Sequence, residues 1–142
     1  MKIAFESIGL IKTPYEDDAP FRPDPEADGL FSIEVDQAYT DALRDLDSFS
    51  HIIVYFYFSR SAKTNLVVHP PHMNGGETGL FASRSPNRIN KIGMDVVKLI
   101  KLDGNIIYTS PMDILNNTPL LDIKPYIPDL DSHPEATKGH TP

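Results

Sequence analysis

The sequence contains no cysteine and no tryptophan among its 142 residues. Without cysteine the chain can form neither a disulfide bond nor a thiolate metal site. It also lacks any apolar run approaching the roughly 18 residues that a membrane-spanning helix requires. The acidic Glu6 stands where a signal peptide would be apolar. We therefore expect a cytoplasmic protein with no membrane partner.

Several site types are also missing from the pattern. No glycine-rich turn joins a strand to a helix, so a Rossmann nucleotide site is excluded and a nucleoside cofactor would need another architecture. His69 and His72 form a histidine pair, but the two prolines between them splay the side chains and no carboxylate or thiolate stands beside them. We therefore expect no metal site. Ser59, Ser83 and Ser85 lack an evident base, so a hydrolase triad is unsupported.

The charge of the chain is unevenly distributed. The formal net charge is −7, which at first disfavours a nucleic-acid partner. Residues 51–101, however, hold seven Lys/Arg and two Asp/Glu, whereas residues 1–50 hold four and twelve. A local field, rather than the net charge, attracts an anion. This basic middle third indicates either an anion-binding surface or an ordinary solvated face, and charge alone does not decide between them.

The hydrophobic pattern predicts many short strands. Alternating or β-branched segments occupy residues 3–11, 31–35, 52–58, 65–68, 80–83, 96–102, 105–109, 112–115 and 120–123. The aromatic run 52–58 is typical of a strand covered on both faces. Asp103-Gly104 predicts a two-residue hairpin turn. The segment 16–28 is rich in acids and proline, so it is a loop.

One helix is predicted, from Asp36 to Leu46, with Asp36 as a plausible N-cap. Short strands, regular turns and one short helix together favour a mainly β fold, a small antiparallel β-barrel of about seven strands. We assign residues 1–128 to this barrel domain and residues 129–142 to a polar C-terminal tail.

Two polar segments could carry chemistry. Residues 84–91 contain two arginines, a lysine, two asparagines and a serine, and arginine offers forked donors that suit carboxylates and phosphates. Residues 116–119 predict a turn whose backbone groups are free to bind a ligand. The structural alternatives are a capped surface loop for the first segment, and a turn with an Asp122–Lys124 ion pair for the second.

At these segments the chain resembles the TrmO-like family of methyltransferases, also called TsaA-like or YaeB-like. The match rests on four stretches in the family's order and spacing: Ile8 to Tyr15, Leu46 to Ile52, Gly79 to Gly93, and Asp113 to Tyr126. The resemblance covers roughly residues 3–128. It implies a β-barrel that forms a homodimer, and S-adenosyl-L-methionine as methyl donor. It also implies a tRNA partner, methylated at N6 of N6-threonylcarbamoyladenosine next to the anticodon.

The resemblance also implies site residues. Donor contacts carried over by position are Pro20, Phe21, Arg22, Ser59, Arg60, Arg84, Met94, Leu115, Asn116, Asn117 and Thr118. We expect Arg84, together with Arg88, to face the threonyl carboxylate or a phosphate. Asp122 and Tyr126 are the candidates for a catalytic base.

The chain departs from the family pattern at three places. Ile89 and Lys91 replace both prolines of the Arg-Pro-Asn-Pro motif, Asn116-Asn117 replaces Asp-Gly, and Ser59-Arg60 replaces His-Gln. These departures keep two alternatives open: a non-catalytic S-adenosylmethionine-binding or sensor module, and a methyltransferase acting on a small molecule.

Overall fold

The computed structural model describes residues 1–142 and confirms a mainly β fold. It contains eight strands: β1 (Gly9–Lys12), β2 (Ser32–Val35), β3 (His51–Tyr57), β4 (Val67–Val68), β5 (Thr78–Gly79), β6 (Ile92–Asp103), β7 (Ile106–Thr109) and β8 (Thr118–Pro125). Six of them form a closed barrel in the order β1-β2-β7-β6-β3-β8, and β4 pairs with β5 in a separate two-stranded sheet. The barrel therefore has one strand fewer than the seven predicted, and the two remaining strands lie outside it.

The core lies inside the barrel. All neighbouring strands are antiparallel, and β1 pairs with both β2 and β8, which closes the ring. The side chains that point inward are fully buried, among them Ile11, Ile33, Ile52, Val54 and Ile107. Burial of this aliphatic set supplies the main driving force for folding.

The aromatic strand β3 is covered on one face only, which corrects the prediction from its continuous apolar run. Ile52, Val54 and Phe56 point inward and are buried, while the alternate side chains are partly or fully exposed. Successive side chains of a strand point to opposite faces, so a strand of a closed barrel has one inner and one outer row. The outer row of β3 is apolar and partly exposed to solvent.

The predicted helix from Asp36 to Leu46 is absent as an α-helix. Two 3₁₀ helices, Gln37–Leu43 and Leu46–Ser48, take its place, and Asp36 makes no capping hydrogen bond. Asp45 has a φ of 68° between them, which interrupts any continuous helix. The one α-helix, α1, is Pro128–Asp131. No helix in the structure has the length and apolar character needed to cross a bilayer.

Several strand boundaries also differ from the prediction. Residues 3–8 form no strand, because β2 and β8 pair with this segment only from Gly9 onward and leave the earlier residues without a partner strand. Leu80–Ala82 is a 3₁₀ helix, and residues 112–115 are not a strand. Met112 and Ile114 are nevertheless buried, so their alternation reflects packing into the barrel without a partner strand. The β6–β7 turn is at Gly104-Asn105, one residue later than predicted, since Asp103 pairs with Ile106.

The antiparallel order places three connections at one end of the barrel. Residues 13–31 follow β1, residues 58–91 follow β3, and residues 110–117 precede β8. We call this end the loop end. The opposite end, which carries the β6–β7 turn and the 3₁₀ segment 37–48, is the hairpin end. Both polar segments singled out in the sequence therefore lie at the loop end.

Candidate functional site

Hydrogen bonds fasten the three connections of the loop end to one another. The Arg60 guanidinium donates to the backbone oxygens of Glu16 and of Asn116, the latter at 3.1 Å. The Asn116 amide donates to Glu16 Oε1 at 2.9 Å, and its Oδ1 accepts from the Thr13 N–H at 3.1 Å. Arg60 and Asn116, both predicted donor-site residues, thus hold the loop end together as one unit.

The bend at residues 115–118 is fixed from within the chain. The N–H groups of Asn116 and Asn117 donate to the carbonyls of Tyr15 and Ile11, at 2.7 and 2.8 Å. The buried Thr118 hydroxyl donates to the Leu115 carbonyl at 2.6 Å. The expectation that this turn leaves its backbone groups free is therefore wrong for these two N–H groups.

Two departures from the family pattern have a backbone explanation. Asn117 has a φ of 64° at the position where the family has glycine, and asparagine tolerates this left-handed region better than most residues. Lys91 has a φ of 54° where the family has proline. A proline ring holds φ near about −65°, so the loop around Lys91 cannot follow the family's proline conformation.

The two arginines of the 84–91 segment differ in how they are used. Arg88 Nη1 donates to the carbonyls of Ser83 and Ser85, at 2.9 and 3.3 Å. Arg84 is exposed, and its guanidinium makes no hydrogen bond or ion pair within the chain. Arg88 therefore stabilises its own loop. Both arginines were predicted to face an anionic ligand, and only Arg84 has a guanidinium free to do so.

A buried carboxylate that the sequence reading missed lies beside Arg84. Asp95 belongs to the inward row of β6, between the buried Gly93 and Val97. Its Oδ2 is inaccessible to solvent and has no hydrogen-bond partner. The signal was present in the sequence, because a single acid interrupts the inward positions of an otherwise apolar strand.

Asp113, on the connection before β8, is the second carboxylate of this cluster. Burial and the neighbouring Asp113 carboxylate raise the pKa of Asp95 to about 6, against the smaller lowering effects of a Val96 backbone hydrogen bond and of Arg84. Burial likewise raises the pKa of Asp113. The loop end therefore holds two carboxyl groups that resist ionisation next to one free guanidinium.

Most of the remaining predicted donor residues at the loop end are exposed, and Pro20 is partly buried. Phe21 is 66 % exposed, and the Arg22 guanidinium carbon lies 5.9 Å from the centre of its ring. Pro20 precedes them in the same acidic loop, and Ser59 follows the last residues of β3. These four residues therefore lie at the same end of the barrel as Arg84.

Met94 and Asp122 lie on the outer surface of the barrel. Tyr55 of β3 pairs with Met94 of β6 on one side and with Asp122 of β8 on the other. Asp122 is exposed and its Oδ2 is 3.2 Å from Lys124 Nζ, which confirms the predicted ion pair.

Tyr126 lies at the hairpin end, apart from Arg84. Its N–H donates to the His51 carbonyl at 3.1 Å, where β3 begins. Strand β8 runs between the two ends, so Tyr126 is separated from Thr118 by about 26 Å of extended chain. Within one chain, the structure thus does not bring together the three predicted catalytic residues Arg84, Asp122 and Tyr126.

One cavity lies at the hairpin end of the barrel. It has a volume of about 270 Å³ and is bordered by apolar side chains such as Leu43, Phe49 and Ile123, together with Asp122.

At the loop end, His72 Nε2 lies 2.9 Å from His140 Nδ1, and the two rings stack. No three His, Asp or Glu side chains converge to hold a metal ion.

These features define a class: a small closed β-barrel whose long connections gather amide, carboxyl and guanidinium groups at one end. The chain matches the tRNA-methyltransferase O N-terminal domain family over residues 10–132, and it belongs to that family. A probable S-adenosyl-L-methionine-binding protein of Pyrococcus abyssi is 39 % identical over 133 residues, covering 92 % of this chain and 72 % of that protein.

Further relatives are longer than this chain. The tRNA (adenine(37)-N6)-methyltransferase of Escherichia coli is 33 % identical over 96 % of this chain and 63 % of its own length. The rat enzyme of the same name is 45 % identical over 64 % of this chain, but only 22 % of its own length is matched. The crystal structure of TrmO from Pseudomonas aeruginosa has a TM-score of 0.82 and 27 % identity, covering all of this chain and 64 % of that one.

Proposed function

We propose that this protein transfers a methyl group from S-adenosyl-L-methionine to N6 of N6-threonylcarbamoyladenosine in tRNA, next to the anticodon. Relatives named for S-adenosylmethionine binding and for tRNA (adenine(37)-N6) methylation support the donor and the class of acceptor. The observation that carries the proposal is the loop end, where Arg84 is free and lies near Asp95, which Asp113 also faces.

The residues present fit the donor and the acceptor. Arg84 offers an unpaired guanidinium for an anionic group of the acceptor, and the enclosed Oδ2 of Asp95 lacks the hydrogen-bond donor that the acceptor would bring. The side chains of Asn116 and Thr118 are already engaged, so we expect them to shape the wall of the site. Leu115, Ser59 and the exposed Phe21 are available for direct contact.

The reaction needs orientation more than activation. The bound donor supplies a methyl group on a sulfonium, which is already a good leaving group. The protein must hold the accepting nitrogen in line with that methyl group and exclude water, which contributes about 7–11 kcal/mol in well-oriented reactions. In this proposal Arg84 binds the threonyl carboxylate or a phosphate of the acceptor and so fixes its orientation.

We also propose that two copies associate through the outer face of β6, β3 and β8. Tyr57, Ile92, Met94 and Val96 are 38–42 % exposed on this face and pair across the strands into one apolar patch. Such patches mark interaction surfaces in soluble proteins. Light scattering after gel filtration should find a dimer that Val96→Glu converts to a monomer. Leu130→Glu, at an exposed apolar residue on α1, should leave the dimer intact.

A methylation assay on bulk tRNA tests the proposed activity. The chain is incubated with labelled S-adenosylmethionine and tRNA, and the digested nucleosides are identified by mass spectrometry. We expect one methyl group on threonylcarbamoyladenosine and tRNA binding that weakens steeply with salt. Donor binding without any methylated product would instead support the sensor alternative, and a methylated metabolite would support the small-molecule alternative.

A further inference from the structure

Asp95 is a partly buried carboxylate near the loop end of the barrel, and one of its two oxygens has no hydrogen-bond partner. From the connection 110–117, Asp113 faces it, and Arg84 faces it from the connection 58–91. Across the sheet, β3 presents only the buried Val54. Its Oδ2 is enclosed and receives no hydrogen bond.

This arrangement opposes folding. A buried acceptor without a partner loses its hydration and gains nothing in return, and a second carboxylate nearby adds repulsion. Groups held in this way cluster at sites where the strain has a chemical use. Arg84, which faces Asp95, belongs to the proposed site, so a use of Asp95 in that site is the direct interpretation.

We propose that Asp95 is the general base of the methyl transfer, which rests on the function proposed above. The N6 nitrogen of the acceptor attacks the methyl carbon, and the carbon–sulfur bond breaks with its electron pair left on sulfur. The N6 proton passes to the Asp95 carboxylate and from there to water. The products are the N6-methylated nucleoside, S-adenosylhomocysteine and one proton.

Asp95 suits this role better than the carboxylate and phenol predicted from the sequence. Asp122 is exposed and its carboxylate is already paired with Lys124. Tyr126 lies at the opposite end of the barrel from Arg84. With a pKa of about 6, Asp95 is largely ionised at neutral pH, yet it is more basic than an ordinary aspartate.

The decisive measurement is the pH dependence of single-turnover methylation of tRNA between about pH 5 and pH 8. For the unmodified chain we expect the rate to rise with pH and to level off above about 6, as Asp95 ionises. Asp95→Asn should slow the reaction at neutral pH by about 10²-fold and abolish the rise, while donor affinity stays within about twofold. Asp103→Asn, on the same strand near the hairpin turn, is the matched control.

Asp113→Asn gives a second, independent readout. Because the Asp113 carboxylate raises the pKa of Asp95, its removal should shift the rise in rate to lower pH without abolishing activity. An active Asp95→Asn variant with the unchanged pH profile would overturn the role of Asp95 alone. A folded, donor-binding wild-type chain that methylates no tRNA would instead overturn the proposed function.

Discussion

Arg84 and Arg88 show how two similar residues, four positions apart, acquire different tasks. Arg88 donates to two backbone carbonyls of its own loop, so its loss changes the shape of that loop. Arg84 has no partner in the chain, so its loss removes a charge without breaking a contact. The sequence alone does not distinguish the roles of the two arginines, because they differ only in their hydrogen bonds in the folded chain.

We therefore expect opposite effects from two alanine variants. Arg84→Ala should reduce methylation of tRNA by about 10²-fold or more and leave the melting temperature unchanged, since only the ligand contact is lost. Arg88→Ala should lower the free energy of unfolding by about 1–3 kcal/mol, because its carbonyl partners lose charge-assisted hydrogen bonds. Turnover and thermal melting are measured together, with Lys101→Ala at the far end of β6 as control. Equal activity in the Arg84 variant contradicts its assigned role.

Gly93 is required by close packing. A Cβ at this position would lie 2.3 Å from the Phe56 ring, and that ring is buried in the core. Gly93→Ala should therefore destabilise the protein by about 1–3 kcal/mol, as overpacking does. Gly79→Ala is the control, since nothing lies within 4 Å of its Cβ position. Denaturant unfolding of both variants checks the prediction, and equal midpoints would contradict it.

At the scale of elements, the bend before β8 depends on one backbone angle. Asn117 has a φ of 64°, which costs an ordinary side chain about 1–2 kcal/mol. Asn117→Gly should be nearly neutral, whereas Asn117→Ala should lose roughly that amount of stability. Chemical denaturation distinguishes them, and identical stabilities for the two variants would show that the angle is not strained.

The alternating apolar pattern predicted a strand correctly where the segment has a partner strand to pair with. The β3, β6 and β7 patterns follow their inward rows of Val, Ile and Phe, so the sequence locates them well. Met112 and Ile114 alternate in the same way but have no partner strand, and no local pattern reveals that. The helix prediction failed because Asp45 takes a left-handed conformation that breaks the segment, and only Leu43 of the first 3₁₀ turn is buried.

The site was predicted in part. The motifs identified Arg84 and the bend at residues 115–118, which share the loop end, because local sequence carries them. Which groups remain free could not be predicted, since the Asn116 amide meets Glu16 across 100 positions of sequence. Asp95 was overlooked because its significance depends on facing inward, next to Asp113, and that is a property of the closed fold.

On the scale of the whole molecule, stability should depend on pH through Asp95. Its pKa rises from 3.8 to about 6 on folding, so between these values the folded chain binds more protons than the unfolded chain. The free energy of unfolding that protonated Asp95 contributes is therefore fully present below about pH 4, and it is lost as the pH rises through 6. Asp95→Asn should be more stable than the wild type at pH 8, by about 1–2 kcal/mol after allowance for partial exposure.

Urea titrations at pH 8 and near pH 4 check this expectation. The difference in free energy of unfolding between the variant and the wild type should be smaller near pH 4 than at pH 8, because the wild-type carboxyl is protonated and uncharged near pH 4. A variant less stable than the wild type at pH 8 would mean that the ionised Asp95 has a stabilising partner, contrary to its unpaired Oδ2.

Closure of the six-stranded ring has a consequence for assembly. Each barrel strand has a neighbour on both sides, so few of its backbone N–H and C=O groups remain to recruit a strand from another molecule. The open edges are short: the two-residue strands β4 and β5, and the parts of β6 and β8 that extend beyond their second neighbours. Any association between copies then depends on side-chain contacts, and one well-placed charge is enough to prevent it.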